Sequence, residues 1–199
     1  MPDADTERAD GPIRIREVRV LSDAHYVLRN TVFDYLRRDG SWQTMSRESY
    51  DRGNGAAILP YDPMRGTVLL VRQLRYPAYV NGHPEPMIEA IAGLLDQNEP
   101  LVAISHEAEE EAGFRIRAPR RIFDAYMSPG AVTERLTFFI AEYSIDDRIG
   151  AGGGLPGEGE DIEVLEPGFD EALRMIDDGR IVDAKTIMLL QHVRLAGLL

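Results

Sequence analysis

The sequence contains no cysteine, which excludes disulfides, thiolate metal sites and a cysteine nucleophile. It has no apolar run approaching the roughly 20 residues that a bilayer span needs. Its opening residues, MPDADTERADG, lack the basic start and apolar stretch of a signal peptide, so a cytoplasmic location is expected. Basic charge is scarce: 22 Lys and Arg stand against 34 Asp and Glu, a net charge of −12. Such a surface repels phosphate backbones and argues against a general binder of nucleic acid or anionic membrane. An anionic small substrate stays open, because a metal ion and a few arginines reverse the field inside one pocket. The rest is ordinary for a globular chain: 199 residues, 44% hydrophobic and 28% charged. That length holds one domain, or one with an appendage, and folding it buries about 70% of the unfolded surface.

Residues 1–11 are polar and aperiodic, as in a loose tail. Apolar residues then alternate from Ile13 to Val20, with a slip near Glu17, and again from Tyr26 to Leu36. Asp39-Gly40 signals a hairpin turn, and a return strand through Trp42 completes a small antiparallel sheet. Three short strands make a poor core alone, so this sheet must pack on the rest of the chain or on a second copy. Beyond residue 50 the character changes. Ala56 to Leu59, Thr67 to Val71, a stretch before Ala92-Gly93, Ile122 to Tyr126, Leu136 to Tyr143 and Ile162 to Leu165 read as strands. Residues 99–112 have helical periodicity. Phe169 to Ile176, ended by Gly179, and Asp183 to about Ala196, with Asp183 as N-cap, read as two more helices. Residues 150–159 are glycine-rich and acidic, the least structured interior segment. This mixture indicates an α+β fold or an α/β/α sandwich.

The most informative segment is Gly93-Leu-Leu-Asp-Gln-Asn-Glu99 followed by His106-Glu107-Ala-Glu109-Glu110-Glu111-Ala-Gly113-Phe114. In an α-helix with about 100° between side chains, Glu110 and Glu111 each fall within about 60° of Glu107 on one face, and Glu109 points elsewhere. Like charges on one stripe destabilise a helix by a few tenths of a kcal/mol per pair. A divalent cation removes that cost, and hard cations such as Mg²⁺ take carboxylate and phosphate oxygens. A solvated acidic face is the ordinary alternative for such a run. His106 reads as a helix-surface residue. Arg72 and Arg75, three apart on one presumed strand, face opposite sides, which favours Arg75 alone for a pocket.

The context resembles the Nudix box, G-x5-E-x7-R-E-U-x-E-E-x-G-U with U a bulky apolar residue. The matching positions are Gly93, Glu99, Glu107, Glu110, Glu111, Gly113 and Phe114. The spacer after Glu99 is one residue short, and His106 replaces the arginine. Arg47 to Ala56, Val71 to Arg75, Val80-Asn-Gly82, Ile88 to Asp96, Tyr126 to Glu134, Phe139 to Ser144, Ala151 to Gly154 and Glu160 to Glu166 are similar to the GDP-mannose hydrolase branch, which shares the shortened spacer.

This resemblance implies a Nudix α/β/α sandwich at 51–199. It also implies an N-terminal antiparallel sheet at 12–50, strand-exchanged in a homodimer. It implies hydrolysis of GDP-mannose to GMP and mannose 1-phosphate, with Mg²⁺ as cofactor and Mn²⁺ as a substitute. Glu107 and Glu111 would bind the metal with the Ala92 carbonyl, and Glu110 would hold a further ion or a metal-bound water. Glu160 would activate the attacking water. Arg75, with Arg72, would contact the diphosphate. Ser128, Pro129, Gly130 and Glu134 would line the sugar or ribose side, with Arg52 a further candidate. The alternatives are an ADP-ribose pyrophosphatase, giving AMP and ribose 5-phosphate, and a non-catalytic nucleotide-binding module.

Overall fold

Alternating apolar residues in the first strands and short continuous apolar runs in the central ones build the sheets of the computed structural model, which describes residues 11–155, 157 and 159–199. The expected tail lies outside these residues, Gly11 apart, as does Glu158 of the acidic loop. The chain divides into two compact units, one formed by the N-terminal sheet through Gly53 with Ser128–Glu134, the other by Asn54–Met127 with Arg135–Leu199.

The first unit is an antiparallel meander of β1 (Ile13–Asp23), β2 (Val27–Leu36) and β3 (Trp42–Asp51). The slip near Glu17 is a bulge in the β1–β2 pairing, with a second between Val20 and Ser22. It lets Ile13, Ile15, Val18 and Val20 keep one side despite the break in alternation. Gly40, at φ 82°, takes the left-handed position of the β2–β3 turn, and Asp39 accepts from the Ser41 N–H at 2.9 Å. Polar contacts cross the sheet: Asp34 accepts from Arg16 Nε at 2.7 Å and from Thr44 Oγ1 at 2.8 Å. Every residue of β1 is exposed. Ser128–Glu134 joins this unit through the Tyr50 N–H to the Ala131 carbonyl (2.8 Å) and the Thr133 N–H to the Tyr50 carbonyl (3.0 Å).

The second unit contains β4 (Gly55–Asp62), β5 (Thr67–Val68), β6 (Leu70–Gln73), α1 (Tyr76–Val80), β7 (Met87–Glu89), β8 (Ile91–Leu94), α2 (Pro100–Glu107), β9 (Arg120–Tyr126), β10 (Arg135–Glu142), β11 (Glu163–Leu165), α3 (Phe169–Asp177) and α4 (Ala184–Leu195). A mixed sheet runs β5-β4-β10-β9, with β8 also on β4 and β10 parallel to β4. A smaller sheet runs β11-β6-β7. Ala57, Leu59, Phe138 and Ile140 face a core closed by α3 and α4, while Ala56, Ile58, Phe139 and Ala141 face one closed by α2. Both faces of the central strands are therefore covered, which is the expected helix–sheet–helix layering.

Three local expectations change. Thr67 to Val71 is not one strand: the Leu69 N–H bonds the Pro60 carbonyl at 3.0 Å, and the chain there passes from one sheet to the other. The short helix α1 was not expected. The helix over 99–112 begins at Pro100, whose missing N–H costs nothing at that position, but changes character at Ala108. Residues Ala108–Ala112 form a π-helix.

Candidate active site

The π-helical stretch separates the glutamates that α-helical spacing groups together. Its wider turn advances each side chain through a smaller angle, and such turns recur at functional sites. Glu111 is turned inward and buried, whereas Glu110 is exposed and Glu109 pairs with Arg115 at 3.2 Å. The three-glutamate stripe is thus corrected to an inward Glu111 with Glu107 beside it and Glu110 outside. His106 is exposed, as expected.

Glu111 carries the strongest signal of the site. Its Oε2 is buried and meets no hydrogen-bond donor. Burial first, then the neighbouring Glu107 charge, push its pKa up to about 8, with Glu160 adding to the rise; Arg75 and the Ala92 backbone pull the other way. Glu107 lies over Gly93, where a Cβ would fall 1.8 Å from Glu107 Oε1. Only glycine leaves room for that carboxylate. Ala92, the expected carbonyl donor, is therefore next to both glutamates.

The backbone of residues 149–154, at the start of the glycine-rich segment, caps this helix. Gly113, at φ 74°, ends the helix. Its carbonyl accepts from the Ile149 and Gly150 N–H groups at 2.8 and 3.1 Å, and those of Gly153 and Gly154 reach the Glu111 and Glu110 carbonyls at 2.9 and 3.1 Å. A Cβ on Gly113 would lie 2.5 Å from the Gly150 carbonyl, and one on Gly152 2.5 Å from the Glu111 carbonyl. The same loop delivers Glu160, whose Oε2 accepts from the Leu155 N–H at 2.8 Å.

Arg75 and Arg72 both line an open cleft of about 1090 Å³ together with Glu160, His83 and Arg180. The strand-based exclusion of one arginine fails because β6 ends at Gln73, so Arg75 lies beyond it at the start of α1. Arg72 Nε donates to Glu163 at 2.8 Å. Arg75 Nε donates to the buried Glu89 at 2.7 Å. Burial opposes the Arg75 charge, yet Glu89, then Glu111 and Asp183, raise its pKa above the ordinary arginine value.

Sequence reasoning missed Glu89 and Lys185, which pair at 2.7 Å. Two signals were available: Glu89 interrupts an otherwise apolar run, and Lys185 is the chain's only lysine. Asp183 is the expected N-cap of α4, accepting from the Thr186 N–H at 2.9 Å. Arg52, Ser128, Pro129, Gly130 and Glu134 belong to the N-terminal unit. There Arg52 Nε meets Glu134 Oε1 at 3.3 Å, and the Ser128 carbonyl accepts from the Ala131 and Val132 N–H groups.

A divalent cation fits what is present. Among the described residues no three acidic or histidine side chains already converge on one point. However, Mg²⁺ needs only one or two carboxylates and takes its other oxygens from water and substrate phosphates. The Glu111 oxygen without a donor and the Glu107 carboxylate held over Gly93 are that kind of pair.

The layered fold, the close approach of Gly93 on β8 to Glu107, and the glutamate helix ended by Gly113 define a Nudix hydrolase scaffold. A solved structure titled as an ADP compounds hydrolase shares the fold at a TM-score of 0.69, with 16% identity over 92% of this chain and 93% of that one. The family model for the N-terminal domain of the GDP-mannose pyrophosphatase NudK matches residues 12–50. A GDP-mannose pyrophosphatase from Pectobacterium atrosepticum is 53% identical over 187 residues, 94% of this chain and 96% of its own. One from Cronobacter sakazakii is 50% identical over 91% of this chain and 94% of its own. The chain belongs to the GDP-mannose pyrophosphatase family of Nudix hydrolases.

Proposed function

We propose that this protein hydrolyses the pyrophosphate bond of GDP-mannose, releasing GMP and mannose 1-phosphate. The observation that carries this reading is the buried Glu111 with its donor-less oxygen beside Glu107, Glu160 and Arg75, in a chain about half identical to GDP-mannose pyrophosphatases. Glu107 and Glu111, with the Ala92 carbonyl, would hold Mg²⁺ or Mn²⁺. When bound, the ion withdraws charge from the diphosphate and lowers the pKa of water. Glu110, exposed on the same helix, would hold a further ion or a metal-bound water. Arg75, and Arg72 once released from Glu163, orient the diphosphate in the cleft. Glu160 accepts the proton of the attacking water. Its carboxylate hangs from the loop that caps the glutamate helix, so base and metal ligands share one anchor.

The N-terminal sheet supports a homodimer with exchanged strands. Ile15, Val18 and Val20 on β1 are 57, 42 and 58% exposed, and a second copy would cover them.

The test is product identification after incubating the pure protein and Mg²⁺ with a panel of nucleotide sugars. GMP with mannose 1-phosphate is the expected outcome. AMP from ADP-ribose without GDP-mannose turnover moves the reading to the sister activity, and binding without turnover to a nucleotide-binding module. Glu160→Gln is expected to lower kcat by 10²–10⁴-fold, the range of general-base catalysis. A loss of only a few-fold would assign the base to another group.

A further inference from the structure

We propose that Glu89 is the positioning residue for the Arg75 guanidinium; this rests on the function proposed above, in which Arg75 meets the diphosphate. Glu89 ends β7, is buried, and uses both oxygens on cations. Oε2 accepts from Arg75 Nε at 2.7 Å and Oε1 from Lys185 Nζ at 2.7 Å. Lys185 also donates to Asp183 Oδ1 at 2.9 Å. The other Asp183 oxygen accepts from the Thr186 N–H at 2.9 Å and from its hydroxyl at 2.6 Å. Thr186 Oγ1 in turn accepts from the Ala90 N–H at 2.7 Å. Ala90 is the neighbour of Glu89, so the bonds form a closed ring between the strand and the start of α4. A carboxylate held in such a ring cannot swivel.

Arg75 needs an external hold of this kind. It lies between β6 and α1, in extended conformation and with no side-chain cap, so neither element dictates its direction. Glu89 takes it through Nε, one of the five N–H donors of a guanidinium. The planar fork is then oriented by a single well-fixed bond, with donors remaining for phosphate oxygens. Two carboxylates and two cations leave the cluster neutral, which permits its burial; an unpaired buried charge would be strongly destabilising.

The experiment is a double-mutant cycle on GDP-mannose hydrolysis in Mg²⁺, with melting temperatures for every variant. Glu89→Gln should lower kcat/KM by on the order of 10²-fold, the scale of a misplacement of about 1 Å, with KM rising more than kcat falls. Glu89→Asp should recover part of that loss. The decisive variant is Arg75→Ala/Glu89→Gln, expected to match Arg75→Ala alone within about twofold, since a group acting through Arg75 has nothing to position without it. Multiplying losses in the double variant would overturn the proposal and leave a structural ion network. So would near-wild-type kcat/KM in Glu89→Gln. If Glu89→Gln does not fold, Glu89→Asp enters the same cycle. Arg75→Ala with full activity would overturn the role of Arg75 along with this one. Absence of nucleotide-sugar turnover in the wild type would instead remove the function itself.

Discussion

Glu111 shows how one carboxylate links stability to function. Its pKa is pushed from the ordinary 4.5 up to about 8, so without a cation the folded protein keeps a proton that the unfolded chain releases. The resulting stability is complete below about pH 4.5 and is lost as the pH climbs to about 8. A divalent cation must displace that proton, so its stabilising effect grows over the same window. Melting curves of cation-free protein between pH 5 and 8.5 should therefore show a falling Tm, and Mg²⁺ should raise Tm most at the alkaline end. Glu111→Gln should flatten both trends and lower kcat by at least 10²-fold while the fold persists. An unchanged Mg²⁺ response in that variant would place the ion elsewhere. Gly93 is the counterpart on the facing strand: Gly93→Ala should weaken Mg²⁺ binding, because its Cβ occupies the space of the Glu107 carboxylate.

At the scale of the element, the π-helical turn and the glycine loop work together. The turn directs Glu111 inward, and the loop satisfies the carbonyls that a helix end leaves without partners. Gly113 carries two demands, a left-handed backbone and close approach of the Gly150 carbonyl. Gly113→Ala should cost roughly 1–2 kcal/mol for the conformation alone, and more for the clash. At about 2–4 °C per kcal/mol for a chain of this size, a Tm loss of several degrees is expected in a thermal melt. Activity should fall as well, because the same contact holds the loop that carries Glu160. A Gly113→Ala protein with wild-type Tm would show that the loop does not depend on this approach.

At the scale of the whole molecule, the exposed apolar side of β1 carries the proposed assembly. Ile15→Asp with Val20→Asp should convert a homodimer into a species of 22.3 kDa by light scattering; a wild type that already has that mass removes the dimer. Much of the rest was legible in the residues. Continuous apolar runs marked β4 and β10 as strands, Asp183 marked the start of α4, and Glu107, Glu111 and Gly113 marked the glutamate helix and its end, all through local pattern and capping chemistry that depend only on near neighbours. The inward turn of Glu111, the division of Thr67 to Val71 between two sheets, and the joining of Arg75 to Glu89 and Lys185 were decided by the tertiary structure. These depend on which backbone donors, carboxylates and cations meet from distant parts of the chain, and the burial that makes such meetings costly or favourable exists only once the layers have closed.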